Sequence, residues 1–383
     1  MHEFDSHSLD VLEYPKIIAI LRGLCLTHFG MKLVDQTAPM TDMGKIRSQL
    51  DEISEMKDII RFGSAFPLYR LDDISGLFER SRTEGIFLEP IELLNIKEFI
   101  DIARALKDYS PEEREKFPLI NDYLKQLNSF PELSKEIGKT IDHDGSILDN
   151  ASSKLKKIRM DIADTKRKIT RKLNQILSER IKQPGWQDDT ITQRDGRYVI
   201  PFLSGQFHQD SGIVHDRSQS GATLFVEPNE TVEHNNKLGQ NFQQERLEID
   251  RILRALTAKI AQQADRFLTN CNLIGHLDYI HAGGNLSIKT GGEKPSVSGK
   301  AQFNLIEARH PLLMYYAENK EDVISNDIAL DNGRLGMIIT GPNTGGKTVA
   351  LKSVGLLIVM AQSGLHIPAD YKSEIGIFKN IFA

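Results

Sequence analysis

Eight consecutive residues, Gly341, Pro342, Asn343, Thr344, Gly345, Gly346, Lys347 and Thr348, have the types and spacing of a phosphate cradle. The glycines permit backbone angles that turn successive N–H groups inward around phosphate oxygens. Lys347 is placed to reach the β- and γ-phosphates, and the Thr348 hydroxyl to ligate Mg²⁺. The chemistry is that of ATP held with its metal. By average residue usage the pattern arises by chance in roughly one chain of this length in a hundred. Its setting sharpens it. Leu335 to Thr340 is apolar and reads as a strand running into the loop, and Val349 to Gln362 reads as a helix whose positive dipole end faces the phosphates.

Hydrolysis needs more than a cradle: a carboxylate at the end of a neighbouring strand must hold the metal's water shell and orient the attacking water. Ile375 to Ala383 begins such a strand, preceded by Asp370 and Glu374, which are expected to be exposed. The ATPase domain is therefore expected to be incomplete as given, with no catalytic residue beyond the phosphate loop and negligible ATP turnover by this chain alone. No His, Asp and Glu cluster offers another centre. His208, His215, His234 and His310 are scattered and read as structural or exposed, and Cys25 and Cys271 have no metal-ligand spacing.

A second chemistry is electrostatic. Ser152 to Lys182 holds eleven Lys/Arg against three acidic residues, although the whole chain carries a net charge of −5. Lys154, Lys156, Lys157, Lys166, Arg167, Lys168, Arg171 and Lys172 form a stripe that could contact a nucleic-acid backbone, or a solvated helix face.

The elements that must position these groups are mainly helical, with an α/β part near the end. Helical patterns cover Val11 to Leu24, Lys45 to Arg61, Pro90 to Lys107 and Asp122 to Leu127, and Gly63 to Pro67 reads as a turn. From Leu155 the apolar steps run Leu155, Ile158, Ile162, Thr165, Ile169, Leu173, Ile176, the seam of a coiled coil. A second seam, Leu238, Phe242, Glu245, Ile249, Ile252, Leu256, predicts an antiparallel partner whose charges balance, with six basic and six acidic residues from Asn229 to Phe267. Between them Tyr198 to Pro201, Gly212 to His215 and Ala222 to Val226 are β-like, bounded by the Asp195-Gly196 and Ser220-Gly221 turn signals. A helical stalk with a β-rich tip results. Gly283 to Lys300, rich in Gly, Ser, Pro and Lys, reads as a domain boundary or surface loop. The expected organisation is 1–150 helical, 151–285 stalk with its tip at about 190–228 and a return helix, and 301–383 the first part of a P-loop NTPase domain.

Composition sets the class. With 383 residues, 40% apolar and 26% charged, the chain can hold two or three cores. No apolar run reaches the ~18–20 residues of a membrane helix, so no membrane contact is expected. The two cysteines and the polar N-terminal stretch point to the cytoplasm.

Gly341 to Lys352, with Gly355-Leu-Leu and Ala361 to Ala369, resembles the MutS superfamily of ATPases, and specifically its second bacterial branch, MutS-two. Glu307-Ala-Arg-His-Pro-Leu312 is similar to the strand opening the ATPase domain of that family. Asp195 to Pro201, Gly212 to Asp216 and Ser220 to Pro228 resemble its clamp, and Leu12 to Pro15 with Thr27 to Gly30 its opening helices. The resemblance implies a lever of helices, a coiled-coil clamp on nucleic acid and an ABC-type ATPase head that forms a homodimer with ATP between heads. It implies an adenine pocket at Val323 to Asn326. Its branch comprises endonucleases that suppress recombination and factors that act on stalled ribosomes, making DNA and rRNA candidate partners. Phe87-Leu-Glu89 and Phe225-Val-Glu227 spell the mismatch wedge, but two occurrences show how unspecific three letters are, and no mismatch recognition is expected. Two alternatives remain. One is a non-catalytic nucleic-acid-binding module with half a nucleotide site. The other, a tethering coiled-coil ATPase, requires the phosphate loop before the coiled coil, the reverse of the order found.

Overall fold

The computed structural model describes residues 4–109, 114–180, 190–330, 336–340 and 346–383. Along the chain run helices α1 (Ser6–Val11), α2 (Tyr14–Leu24), α3 (His28–Asp35), α4 (Met43–Phe62), α5 (Ser75–Ser81), α6 (Pro90–Asp108), α7 (Pro118–Gln126), α8 (Pro131–Thr140) and α9 (Ser153–Arg180). Strands β1 (Thr192–Arg194), β2 (Arg197–Leu203), β3 (Ile213–Arg217) and β4 (Thr223–Glu227) follow, then α10 (Asn229–Ala261) and α11 (Ala264–Thr290). The last stretch holds β5 (Ser296–Ser298), β6 (Phe303–Ala308), α12 (Pro311–Tyr316), β7 (Asn326–Leu330), α13 (Lys347–Gln362) and β8 (Glu374–Gly376). Proline opens α6, α7, α8 and α12, where its missing N–H costs nothing and its fixed φ suits the first helical position. Asp5, Thr27 and Asp42 cap α1, α3 and α4 by accepting first-turn N–H groups. The single helix expected from Val11 is instead broken at Glu13, whose φ of 63° is left-handed. The described residues are mostly helical with two small sheets, and no helix among them is long and apolar enough to cross a membrane.

The chain divides into two compact units. The first comprises Met1–Phe78, Glu98–Pro131 and Gln263–Ala383. Its axis is α11, which packs on α3 and α4 and buries Phe267, Ile274, Leu277 and Ile280. The Phe267 ring stacks on Phe78 and Phe130 with centroids 4.7 and 4.0 Å away. Gly283 to Thr290, expected to belong to a boundary loop, are the last turns of this helix. Tertiary packing overrides their low helix propensity: a Cβ on Gly283 would lie 2.7 Å from Ile53 Cδ1, and one on Gly284 3.2 Å from the Lys57 nitrogen. Buried Asp278 accepts hydrogen bonds from the Thr27 nitrogen at 2.8 Å and its hydroxyl at 2.7 Å, fixing the start of α3 on α11. The sheet of this unit runs β5-β8-β6-β7, with β5 parallel to β8 and the other pairs antiparallel. The strand expected over Leu335 to Thr340 does not form in the described residues 336–340: no ladder partner reaches them, and Ile338 is 89% exposed.

The second unit comprises Glu79–Lys97 and Glu132–Gln262. Here α9 and α10 pack along their length. The pairs Ser152–Glu248, Arg159–Glu245 and Lys166–Phe242 run in opposite chain directions, so the arms are antiparallel. Every expected seam position of α9 from Leu155 to Ile176 is buried. On α10 the phase departs from expectation at two places. Buried Asn241 and Glu248 stand where Phe242 and Ile249 were expected, while Phe242 is left exposed on the flank. Charge decides the second: Glu248 accepts from Ser152 Oγ and Arg251 and lies 3.2 Å from Lys154, contacts that hold its carboxyl down near 2, chiefly through Arg251. The tip sheet runs β1-β2-β4-β3, wholly antiparallel. Asp195 and Gly196 join β1 to β2 with positive φ at both residues, the two-residue hairpin their types call for.

Candidate functional site: a cleft at the phosphate loop and a basic helix face

Gly341, Pro342, Asn343, Thr344 and Gly345 lie outside the described residues. The remainder of the motif opens α13. Gly346 is its N-cap at φ 79°, a left-handed angle that suits glycine, and Lys347 and Thr348 are the first helical residues. The N–H groups of such a first turn have no carbonyl of their own helix to bind. At the other end Gly364, at φ 71°, closes α13 with bonds from the Gly364 nitrogen to Ala361 O and from the Leu365 nitrogen to Met360 O. The helix is buried along its second half, Leu356 to Gln362, so the end bearing Lys347 is held out from a fixed base.

Lys347 and Thr348 line a cavity of about 1250 Å³ together with Gly346, Thr340, Val323 and Asn326. The tertiary structure thus brings the residues of the loop and of the expected base pocket to one cleft. Val323 is positioned by Arg309, whose Nε donates to the Val323 carbonyl at 3.1 Å, while the Arg309 nitrogen bonds Pro368 O at 2.9 Å. His310 lies buried in the same wall. Its Nδ1 has no hydrogen-bond partner among the described residues, and burial holds the imidazole below its ordinary pKa.

Further residues of the cleft carry no local signal. Glu13, Lys16, Tyr316 and Lys352 line it, and they come from three separated stretches of chain. Glu13 pairs with Lys16 at 2.5 Å and lies 3.8 Å from Lys352, one turn beyond the loop on α13. The hydrogen bond from Lys16 is the main cause of its depressed pKa. Around it Tyr14 bonds Ser363 Oγ at 2.7 Å, and Leu12 fills the space over Gly355, where a Cβ would meet its Cδ2 at 2.6 Å. The hinge between α1 and α2 is therefore seated on the helix of the phosphate loop. Only the resemblance at Leu12 to Pro15 marked these residues, and it gave them no role.

In the second unit the basic residues of α9 separate by their place on the helix. Lys156, Lys157, Arg167, Lys168 and Arg171 are exposed, opposite the buried seam. The fifteen residue steps from Lys156 to Arg171 correspond to a face about 22 Å long. Lys166 and Lys172 are half-buried on the flanks. Lys166 Nζ sits 5.2 Å from the centre of the Phe242 ring, and Lys154 is drawn to Glu248. Arg167 also pairs with Asp164 on the same face. Arg159 faces inward to Glu245 and Asp149.

The tip motifs have a structural task. Glu227, fully buried, accepts two hydrogen bonds from Arg197 at 2.7 and 2.8 Å, one from Asn235 Nδ2 at 2.8 Å, and faces His215 Nε2 at 2.6 Å. Asn235 in turn bonds both the nitrogen and carbonyl of Tyr198. The network ties β2, β3 and β4 to the first turns of α10. The two wedge-like tripeptides fall in the approach to α6 and at the end of β4. Among the described residues no three His, Cys, Asp or Glu side chains gather as a metal site.

Residues 337–383 match the family MutS domain V. The chain is 39% identical over 379 residues to Endonuclease MutS2 of Clostridioides difficile (strain 630), covering 98% of this chain and 47% of that protein. It is 36% identical over 381 residues to Endonuclease MutS2 of Alkaliphilus oremlandii, covering 99% and 48%. It is 36% identical over 378 residues to the putative endonuclease MutS2 of Bacillus subtilis (strain 168), covering 98% and 47%. The chain therefore spans about half the length of the curated relatives it matches.

Proposed function

We propose, for a chain that belongs to the MutS2 branch of the MutS superfamily, that it binds ATP with Mg²⁺ in the cleft at α13 and grips nucleic acid along the outer face of α9. The observation that carries the reading is the convergence of Gly346, Lys347, Thr348, Val323 and Asn326 on one cavity. Lys347 would neutralise the phosphates and Thr348 would supply a hydroxyl to the metal, while the first-turn N–H groups of α13 would donate to phosphate oxygens. The fit is supported by the lining: an ammonium, a hydroxyl and a helix N-terminus, together with apolar side chains, in one cavity. Residues 1–150 act as the lever, 151–285 as the clamp with its tip and the return lever helix, and 301–383 as part of a P-loop head that pairs with a second copy. At the level of the whole protein, the relatives' names suggest an endonuclease, with branched DNA or ribosomal RNA as polymers for the clamp.

Calorimetric titration tests the nucleotide half. Saturable, Mg²⁺-dependent ATP binding that is abolished in Lys347→Ala is expected; no heat at millimolar ATP would refute it. The nucleic-acid half is tested by Lys166→Glu, Arg167→Glu and Lys168→Glu together. The triple variant should bind duplex DNA or RNA more weakly and with a shallower salt dependence, and an unchanged affinity would leave α9 a solvated face. The second reading, a binding module that uses no nucleotide, is favoured by the length of the exposed basic face. It predicts that the clamp binds nucleic acid equally in wild type and Lys347→Ala, with or without ATP.

A further inference from the structure

The cleft has two chemically different sets of lining residues, and the second points to a particular side chain. Lys347 and Thr348 line it with polar groups, and Leu313, Tyr316 and Ile324 line the same cavity. These three are 50, 69 and 82% exposed, although all are large and apolar. Leu313 and Tyr316 are three residues apart on α12 and so share one helix face. A purine base is flat, with apolar faces, and its natural support is another flat π-system. Val323, in the stretch expected to hold the base, is β-branched and offers no plane. Tyr316 carries the only benzenoid ring among the described residues of the wall. Its orientation is braced by Tyr315, edge-on at 5.0 Å and 87°, and Tyr315 is itself covered by Lys289 Nζ at 5.5 Å.

We propose that Tyr316 is the platform on which the base of the bound nucleotide stacks, with Leu313 and Ile324 closing around it. This rests on the nucleotide reading of the cleft and makes Tyr316 a specificity-determining residue: it distinguishes a nucleotide from a bare polyphosphate. The phosphates are held by α13, the base by α12, and the two helices pack on each other. Stacking of this kind tolerates any base, so adenine and guanine nucleotides should both gain from it.

The experiment titrates ATP and inorganic tripolyphosphate, each with Mg²⁺, into wild type, Tyr316→Phe and Tyr316→Ala. Tyr316→Ala should weaken ATP roughly tenfold, by the loss of one base stack, and leave tripolyphosphate within a factor of about two. Tyr316→Phe, which keeps the ring, should match wild type for both ligands. A Tyr316→Trp variant adds a direct readout: its indole emission should be quenched by ATP and not by tripolyphosphate. Equal ATP affinity in wild type and Tyr316→Ala overturns the proposal while the nucleotide reading stands. Loss of both ligands in Tyr316→Ala also overturns it, because the side chain would then shape the cleft and not the base site. If wild type binds tripolyphosphate and ATP not at all, or neither ligand, the nucleotide reading itself falls.

Discussion

His366 lies between α13 and the helices beneath it, and its titration should be visible in the stability of the protein. The ring is 3% exposed. Its Nε2 is 3.1 Å from the Leu50 carbonyl, and Nδ1 is 2.9 Å from Ser287 Oγ. Ser287 Oγ also donates to Gly292 O at 2.8 Å, which accepts from Lys57 Nζ at 2.7 Å as well. A neutral ring with its proton on Nε2 can donate to Leu50 O, with Ser54 Oγ 3.0 Å away. Burial, with the Lys57 charge adding to it, lowers the pKa from 6.5 to about 4. A lowered folded-state value means that stability is fully present above the unfolded value and is lost as pH falls from about 6.5 through about 4. The difference corresponds to about 3 kcal/mol, with a limiting slope of about 1.4 kcal/mol per pH unit. Replacing the ring by His366→Gln should lower stability at pH 7.5 by roughly 1–3 kcal/mol, through imperfectly remade hydrogen bonds. Because glutamine does not titrate, the gap between wild type and variant should close as the pH approaches 4. Urea unfolding at pH 7.5, 6.5, 5.5 and 4.5, followed by circular dichroism, measures that gap. A gap constant across the series would refute the reasoning.

Other substitutions test the packing that positions the two sites. Gly275→Val places a Cβ 2.8 Å from Phe29 Cβ and 3.1 Å from its carbonyl carbon, so it should destabilise by about 2–3 kcal/mol in chemical denaturation. Gly23→Ala, in α2 with nothing within 4 Å, should instead raise stability by up to about 1 kcal/mol. Leu173→Ala empties a fully buried seam position and should cost about 2–5 kcal/mol, read as faster proteolysis of the α9–α10 stalk. Glu227→Gln leaves Arg197 and His215 without their carboxylate; with Arg197 part-exposed the loss should be on the order of 2 kcal/mol. Its signature is faster amide exchange in β2 and β4 with no change in α11.

The seam of α9 was legible because a coiled-coil stripe is a periodic property of consecutive residues, and burial followed it from Leu155 to Ile176. The Asp195-Gly196 hairpin was legible because the turn chemistry sits in two residues. Where sequence reasoning departed from the fold, a distant partner made the difference. Glu248 displaced Ile249 from the seam because Ser152, Lys154 and Arg251 receive its buried carboxylate. Gly283 and Gly284 looked like loop composition, yet they are the residues that let α4 approach α11 closely.

By itself the sequence determined that a helix over Val349 to Gln362 follows the glycine-bearing motif, and the structure starts it two residues earlier, at Lys347. It also determined that α9 is basic opposite its apolar seam. Only the tertiary structure decided which side chains share a cleft with Lys347: Glu13, Val323, Tyr316 and Lys352 among them. The walls of a cleft are brought together by the burial of other surfaces, here Leu12 on Gly355 and α12 on α13. No spacing along the chain records which side chains such packing leaves facing one another.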